Sequence, residues 1–175
     1  MRNSTRLAVV GAALAAVSFG SAANAATTAT ATATAEILST LAIVNDTGLD
    51  FGTIAVNGAG TAKVSADGAS DSCTAVALIC GGTRAPAGFT ITGASGVGVA
   101  ITLPAAASTL TYVGWTGTLA TTPTMSLSSF TSYFPSGTTL VAGSTTVSVG
   151  GSLAVAALQE PGTYTGTFSV SAQYQ

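Results

Sequence analysis

Four aspartates lie beside turn-forming residues, and they are the side chains of this sequence with the clearest capacity for chemistry: Asp46, Asp50, Asp67 and Asp71. Hydrolysis by paired carboxylates requires two acids held roughly 5 to 10 Å apart, and calcium requires several converging oxygen ligands. The stretch Asp67-Gly-Ala-Ser-Asp71 does not have the spacing of an EF-hand loop. Because aspartates in turns commonly accept backbone hydrogen bonds, we expect structural roles for these carboxylates.

Nucleophilic catalysis has no general base in this chain, because the sequence contains no histidine. Lys63 with Asn45 or Asn57 and an acid could form an isopeptide crosslink, but nothing in the sequence brings these side chains together. No metal-ligand cluster and no cofactor motif is recognisable. We therefore expect no cofactor and predict that the protein is not an enzyme.

The first residues have the pattern of a secretory signal peptide. Arg2 and Arg6 precede an apolar run from Leu7 to Val17, and Ala23-Asn24-Ala25 fits the small-x-small cleavage pattern. We predict that residues 1–25 are a signal peptide cleaved before Ala26. The apolar run is shorter than the about 20 residues of a membrane-spanning helix, and we expect no membrane span in the mature chain.

Export through the inner membrane determines the expected state of the cysteines. The chain has two, Cys73 and Cys80, and an oxidising compartment favours a disulfide between them. Removal of the leader also leaves Lys63 and Arg84 as the basic side chains. A chain so poor in positive charge offers no electrostatic surface for nucleic acid.

Alternating apolar and polar residues recur throughout the mature chain, separated by Gly, Pro, Asn and Asp. This period of two is typical of strands with one buried face. The sequence therefore predicts an all-β protein, an immunoglobulin-like or pilin-like antiparallel β-sandwich over residues 45–175. Residues 147–155 could form one strand bulged at Gly150-Gly151 or a hairpin of two strands.

The regular alternation is clearest at the C-terminus, over residues 162–175, here called the C-terminal segment. One face of this segment carries Gly162, Tyr164, Gly166, Phe168, Val170, Ala172 and Tyr174. The other face carries Thr, Ser and Gln. We predict a strand with one buried and one solvated face, tied into a sheet although it lies at a chain terminus.

The mature chain begins with alternating threonine and alanine over residues 26–44, here called the N-terminal arm. As a strand, the arm would present one face that includes Ala29, Ala31, Ala33, Ala35, Ile37, Leu41 and Ile43, together with Thr27 and Ser39. Alanine methyl groups bury little apolar area, so a free arm could scarcely offset the entropy of ordering its backbone. A prepared groove at a sheet edge would supply backbone hydrogen bonds, as in β-strand addition.

Both ends of the chain resemble known families. An alternating N-terminal extension, a penultimate Tyr174 and Gly162 are similar to the termini of pilin-type subunits of the chaperone-usher class. More closely, the chain resembles a family of small secreted bacterial β-domains of unknown function. The residues that carry this second resemblance are Leu49-Asp50-Phe51-Gly52-Thr53-Ile54, Ile101-Thr-Leu-Pro104, Val149-Gly150-Gly151-Ser-Leu153, and the terminal Tyr164, Gly166, Phe168, Val170, Tyr174 and Gln175.

The pilin resemblance implies a structural subunit joined to its neighbours by donor-strand complementation. The partners would be other copies of the chain or related subunits, with a periplasmic chaperone and an outer-membrane usher. The arm would be the donor, and the C-terminal segment would border the acceptor groove. The protein would pass through the periplasm to the cell surface or the extracellular space as part of a fimbrium.

Three other interpretations remain open. The arm could be a low-complexity tether without a partner, or it could fold back into the groove of its own domain. The domain could also be a monomeric adhesin or glycan-binding β-sandwich, for which Trp115 is a candidate contact residue, although a core position is more typical of a lone tryptophan.

Overall fold

The computed structural model describes residues 27–175, and the chain in this range forms β-strands and no helix. The antiparallel all-β fold predicted from the alternation is therefore confirmed. Residues Ile37–Gln175 form one compact unit. Residues 27–36, in which no strand is assigned, belong to a separate unit. The predicted signal peptide and Ala26 lie outside the described residues.

The strands are short, as expected for a β-sandwich with frequent turns. They are β1 (Ala42–Thr47), β2 (Thr53–Val56), β3 (Gly60–Val64), β4 (Ser72–Cys73), β5 (Leu78–Gly81), β6 (Ala87–Thr92), β7 (Val99–Thr102), β8 (Ser108–Tyr112), β9 (Thr124–Tyr133), β10 (Ser144–Val155), β11 (Tyr164–Thr165) and β12 (Ser171–Tyr174).

One large antiparallel sheet forms the first layer, with the strand order β1-β6-β10-β9-β8-β11. The long strand β10 lies at its centre, where it pairs with β9 along one edge. Along its other edge it pairs first with β6 and then with β3, which in turn pairs with β4. Strand β10 alternates buried and exposed side chains at both of its ends, because only one face of the sheet is covered there.

The second layer consists of two small antiparallel sheets that cover different halves of the large one. The pair β2-β5 packs on β3, β9 and β10 around Leu78, Leu127 and Leu153. The pair β7-β12 packs on β6 and β10 around Ile91, Val99 and Val147. Leu49, Phe130 and Phe168 contact both core clusters. The core is therefore continuous from one half of the sandwich to the other.

Residues 147–155 form one strand, which settles the alternative that the sequence left open. The bulge lies on the partner strand, because Gly150 pairs with Thr131 and Ser152 with Ser128. Ser129, inside this irregularity, has a φ of 52°. A Cβ atom at Gly150 would overlap the backbone of Val64 and Ala66, so glycine is needed there for the close approach of β10 to residues 64–66.

The stretch Leu49-Asp-Phe-Gly52 carries the chain from the first layer to the second. Asp50 forms paired backbone hydrogen bonds with Ala85 at 2.9 and 3.0 Å, and its Oδ1 accepts a hydrogen bond of 2.8 Å from the Gly52 amide. Gly52 has a φ of 67°, a conformation that glycine adopts without steric cost. The side chain of Phe51, between Asp50 and Gly52, is buried in the core. The motif therefore forms the crossover between β1 and β2.

Candidate functional site

The cysteines and three of the four aspartates have structural roles. Cys73 and Cys80 form a disulfide with a Cα–Cα distance of 6.3 Å, as predicted from the expected compartment. Asp50, Asp67 and Asp71 accept hydrogen bonds from the backbone amides of Gly52, Ala69 and Ser65, respectively, at 2.8 to 3.0 Å.

Hydrogen bonds also hold the carboxylate of Asp46 and stabilise the charged form of Asp67. Asp46 accepts a hydrogen bond of 2.7 Å from the hydroxyl of Thr90 on the neighbouring strand. Hydrogen bonds from the Ser65 side chain and the Ala69 amide hold the pKa of Asp67 below its usual value, because they stabilise the charged carboxylate. The contacts of Asp50, Asp67 and Asp71 stabilise turns, and the contact of Asp46 stabilises the pairing of β1 with β6.

A groove lies between an early and a late segment of the domain. One wall is formed by residues 45–56 and the other by residues 159–168. Asn45 lies at the same end as Phe168, and Val56 lies at the same end as Gln159. The two walls therefore run antiparallel to each other, and the groove follows them lengthwise.

The groove has two parts that share Leu49, Phe51, Leu110 and Tyr164 and are therefore continuous. The wide part, with a volume of about 850 Å³, lies between β2 and residues 157–164. The narrow part, with a volume of about 370 Å³, lies between residues 45–51 and residues 164–168. The floor of both parts consists of apolar side chains of the core. In the wide part these are Leu110, Met125, Leu153 and Val155. In the narrow part they are Ala87, Phe89 and Leu127.

Both walls present strand edges without a ladder partner on the groove side. Within residues 27–175, β2 pairs only with β5, and β11 pairs only with β8. Residues 166–170 lie between β11 and β12 and belong to no strand ladder. Unpaired edges next to apolar side chains are a template for an added strand.

The C-terminal segment is divided between two sheets, although its alternation predicts one continuous strand. It pairs with β8 at Tyr164 and Thr165, and it pairs with β7 only from Ser171 onward. Between these points Phe168 packs against Phe89 and Phe130, with ring centroids 6.4 and 4.9 Å apart. The segment therefore changes layers while it keeps one face toward the core.

The predicted groove residues of this segment separate along the same division. The first four, Gly162, Tyr164, Gly166 and Phe168, line the groove. The last three, Val170, Ala172 and Tyr174, are half-buried against the core cluster beneath β7 and do not line it. A Cβ atom at Gly166 would overlap the carbonyl oxygen of Thr109, so this glycine allows the wall to lie close to β8.

The predicted donor residues of the arm are also divided. Ala29, Ala31, Ala33 and Ala35 are exposed, and Ile37 is 93% exposed. Leu41 and Ile43 instead pack against the core of their own domain, where Ile43 belongs to β1 and pairs with Ile91 of β6. The expected boundary at residues 44 and 45 thus falls inside β1, and the exposed part of the arm is residues 27–40.

Sequence comparison places residues 41–174 in a family described as Domain of unknown function (DUF4402). The chain belongs to this family. No match was found among curated proteins or among solved structures. The resemblance to a family of small domains of unknown function is therefore confirmed, and the matched range contains all of β1 to β12.

In this DUF4402 domain the penultimate aromatic residue lies where the arm enters the sandwich. The Tyr174 hydroxyl donates a hydrogen bond of 2.8 Å to the Ser39 carbonyl and accepts one of 2.7 Å from the Ala94 amide. Leu41 packs nearby against the same core cluster. The phenol therefore fixes the base of the arm at the end of the domain that carries the C-terminus.

A cluster of three aromatic rings adjoins the wide part of the groove. Tyr112 packs edge to face against Trp115 and Tyr164, with centroid distances of 5.2 and 5.3 Å. Trp115 is half-buried in the loop after β8 and belongs to neither core cluster. The core position expected for this residue is therefore wrong.

Sequence reasoning did not identify the first wall of the groove, residues 45–56, or its floor. The available signal was the apolar series Leu49, Phe51, Ile54 and Val56, which continues the alternation after the arm. Nothing local shows that this series lies opposite the C-terminal segment.

Within residues 27–175, no helix has the length and hydropathy needed to cross a membrane.

Proposed function

We propose that this protein is a non-enzymatic structural subunit that assembles head to tail, with the arm of one copy inserted into the groove of the next. The observation that carries the proposal is the open apolar groove between two unpaired strand edges, in a domain that leaves its own alternating arm exposed. An added strand would complete the ladders of both walls and cover the floor.

The energetics favour a groove over a free arm. Ordering each arm residue costs about 1 to 2 kcal/mol of backbone entropy, and an alanine methyl group recovers little of this by burial. Each backbone hydrogen bond gained at an otherwise unpaired edge contributes about 0.5 to 1.5 kcal/mol. Backbone hydrogen bonds to the two flanking edges, together with burial of Ile37, would offset the entropy cost of ordering the arm. Burial of the alanine face alone would not.

The position of the arm base favours a neighbour over self-insertion. Tyr174 holds Ser39 at the end of the domain that carries the C-terminus, whereas the wide part of the groove lies toward Val56 and Gln159. A donor from another copy meets no such constraint. A contact between two different surfaces does not close on itself and therefore propagates a filament.

The proposal includes the route and the partners that the pilin resemblance implies. The chain would be exported through the inner membrane, and a periplasmic chaperone would cover the groove before assembly. An outer-membrane usher would then pass subunits to the surface or the extracellular fimbrium. Covering the groove during export would protect its unpaired edges from non-specific pairing.

The decisive variant removes residues 27–36 from the mature chain and keeps residues 37–44, because Leu41 and Ile43 support the core. A matched control replaces residues 27–36 with a Gly/Ser sequence of the same length. We expect filaments in electron micrographs and SDS-resistant ladders for the unaltered chain, and neither for the two variants. Undiminished polymerisation of the deletion variant would overturn the proposal.

A second candidate function is glycan binding by a monomeric adhesin, which the aromatic cluster beside the groove favours. Trp115 and Tyr112 could stack on the apolar face of a sugar ring. Glycan-array binding that disappears in Trp115→Ala, for a chain that stays monomeric at high concentration, would support this function in place of the first. Trp115→Ala would leave filament formation unchanged if the first proposal holds.

A further inference from the structure

The two parts of the groove differ in volume, and the two ends of the exposed arm differ in side-chain size. From this match we infer a specific direction and register for the inserted arm, which rests on the proposed function. The arm of one copy runs antiparallel to residues 159–168 of the next, with its alanine face toward the floor. Its alanines lie in the narrow part, and Ile37 lies in the wide part.

Length supports this register. Residues 29–37 of the arm and residues 160–168 of the wall are equally long, and extended strands rise about 3.3 Å per residue. Directly opposed residues of an antiparallel pair share one face, so in the inferred register Ala29 lies opposite Phe168, and Ile37 lies opposite Glu160. The inward face then consists of Ala29, Ala31, Ala33, Ala35 and Ile37, whereas the threonines between them face solvent.

The volumes of the two parts support the direction. The narrow part, of about 370 Å³, receives alanine methyl groups where Gly48 and Gly166 contribute no side chains of their own. The wide part, of about 850 Å³, has the apolar floor residues Leu110, Met125 and Val155. Ile37 is the large apolar side chain of the arm that is almost fully exposed, at 93%. The reverse direction would place it in the smaller space.

The position of the arm base supports the direction independently. In the inferred direction the donor arm leaves the groove beyond Val56 and Gln159, so the donor domain lies at the end opposite the acceptor's own arm base. The reverse direction would bring the donor domain toward Asn45 of β1, which is the side on which Tyr174 holds the acceptor's arm. Only the inferred direction keeps the two neighbours of one subunit at opposite ends.

The rim of the wide part provides a contact for the incoming subunit. Leu158 lines this part and is 97% exposed. Residues 38–40 connect Ile37 to Leu41, which packs in the core of the donor domain. So short a connection brings the donor domain against the acceptor rim, and Leu158 is an apolar side chain that this contact would cover.

A photo-crosslinking experiment on the full mature chain tests the inference. A diazirine-bearing aliphatic amino acid is placed at position 37 or, as the matched control, at position 29. Assembled material is irradiated, and crosslinked peptides are identified by mass spectrometry in mixtures of isotopically labelled and unlabelled chains. We expect position 37 to react with residues 153–160 of another copy, and position 29 with residues 45–49 or 166–168.

The outcomes separate the direction of insertion from assembly itself. The exchanged pattern, with position 37 joined to residues 45–49 or 166–168 of another copy, would overturn the inferred direction and leave the proposed assembly standing. Crosslinks confined to one chain, or the absence of polymer from the unaltered chain, would overturn both.

A pair of substitutions provides a second readout. Ile37→Asp places a charge over the apolar floor of the wide part, whereas Val141→Asp places one at a residue that is 68% exposed and lines neither part of the groove. We expect polymer yield to fall at least about tenfold in the first variant and to stay near that of the unaltered chain in the second. Full polymerisation of Ile37→Asp would overturn the inferred register.

Discussion

Single residues at the two chain ends determine where the arm leaves the domain. The Tyr174 phenol bridges the Ser39 carbonyl and the Ala94 amide, and a Cβ atom at Gly93 would overlap the same hydroxyl. The side chain of the last strand thus holds residues that immediately precede the first strand. This contact joins sequence positions that no local pattern relates.

Tyr174→Phe removes this hydroxyl and keeps the ring. We expect the free energy of unfolding to fall by about 1 to 2 kcal/mol, because two hydrogen bonds are lost and the partly buried Ala94 amide is left unpaired. Chemical denaturation measures the change. Tyr133→Phe is the control, since Tyr133 is 47% exposed, and should change stability by less than about 0.5 kcal/mol. Equal effects of the two variants would contradict the role assigned to Tyr174.

At the scale of elements, the disulfide connects the two layers of the sandwich. Cys73 belongs to β4, which pairs with β3 of the large sheet, and Cys80 belongs to β5, which pairs with β2 of the second layer. Both cysteines pack against the core cluster beneath β2 and β5. The bond therefore supports the wall of the groove that β2 provides.

The double variant Cys73→Ser/Cys80→Ser tests this support. Loss of so short a crosslinked loop should lower the free energy of unfolding by about 2.5 kcal/mol, as loop-closure entropy estimates it. Thermal unfolding with and without a reductant measures the effect. The reductant should reproduce the loss in the unaltered chain and leave the variant unchanged. A variant as stable as the oxidised chain would show that the pairing of β4 and β5 suffices.

The close approach of β10 to the end of β3 depends on one glycine. Gly150→Ala would place a methyl group against the backbone of Val64 and Ala66, and backbone atoms cannot move aside as a flexible side chain can. We expect a loss of about 2 to 3 kcal/mol in unfolding free energy. Gly48→Ala is the matched control, since no atom lies within 4 Å of its added Cβ, and it should change stability by less than about 1 kcal/mol.

At the scale of the whole molecule, the groove leaves part of the core accessible. Leu110 and Met125 contribute to its floor and are only half-buried. Unpaired edges and accessible apolar side chains both lower the stability of an isolated subunit. Insertion of an arm from another copy would therefore stabilise the acceptor domain as well as join the two copies.

Addition of a free peptide tests this coupling. We expect a peptide of residues 27–40 to raise the melting temperature of the full-length Ile37→Asp variant, whose groove is not filled by polymerisation. At a peptide concentration 100 times its Kd the gain would be about 2.7 kcal/mol. The same peptide with Ile37→Asp is the control and should have much less effect. No shift with either peptide would count against insertion into the groove.

Much of the molecule could be predicted from local patterns. Alternation along residues 162–174 predicts the half-buried face that includes Phe168 and Val170, and the expected secretion predicts the disulfide between Cys73 and Cys80. The same alternation assigns Ile37, Leu41 and Ile43 to one face of the arm. It could not show that Leu41 and Ile43 pack in their own domain while Ile37 is exposed, because parity is identical for all three.

By itself, the sequence determined the all-β class and the faces of the strands and predicted the disulfide, because alternation and the expected compartment are inferred from residue type and near neighbours. The tertiary structure alone decided which strand pairs with which. It divided the C-terminal segment between β8 and β7, and it placed residues 45–56 opposite residues 159–168. Strand pairing joins residues far apart in the chain, and a two-residue period carries no information about the partner.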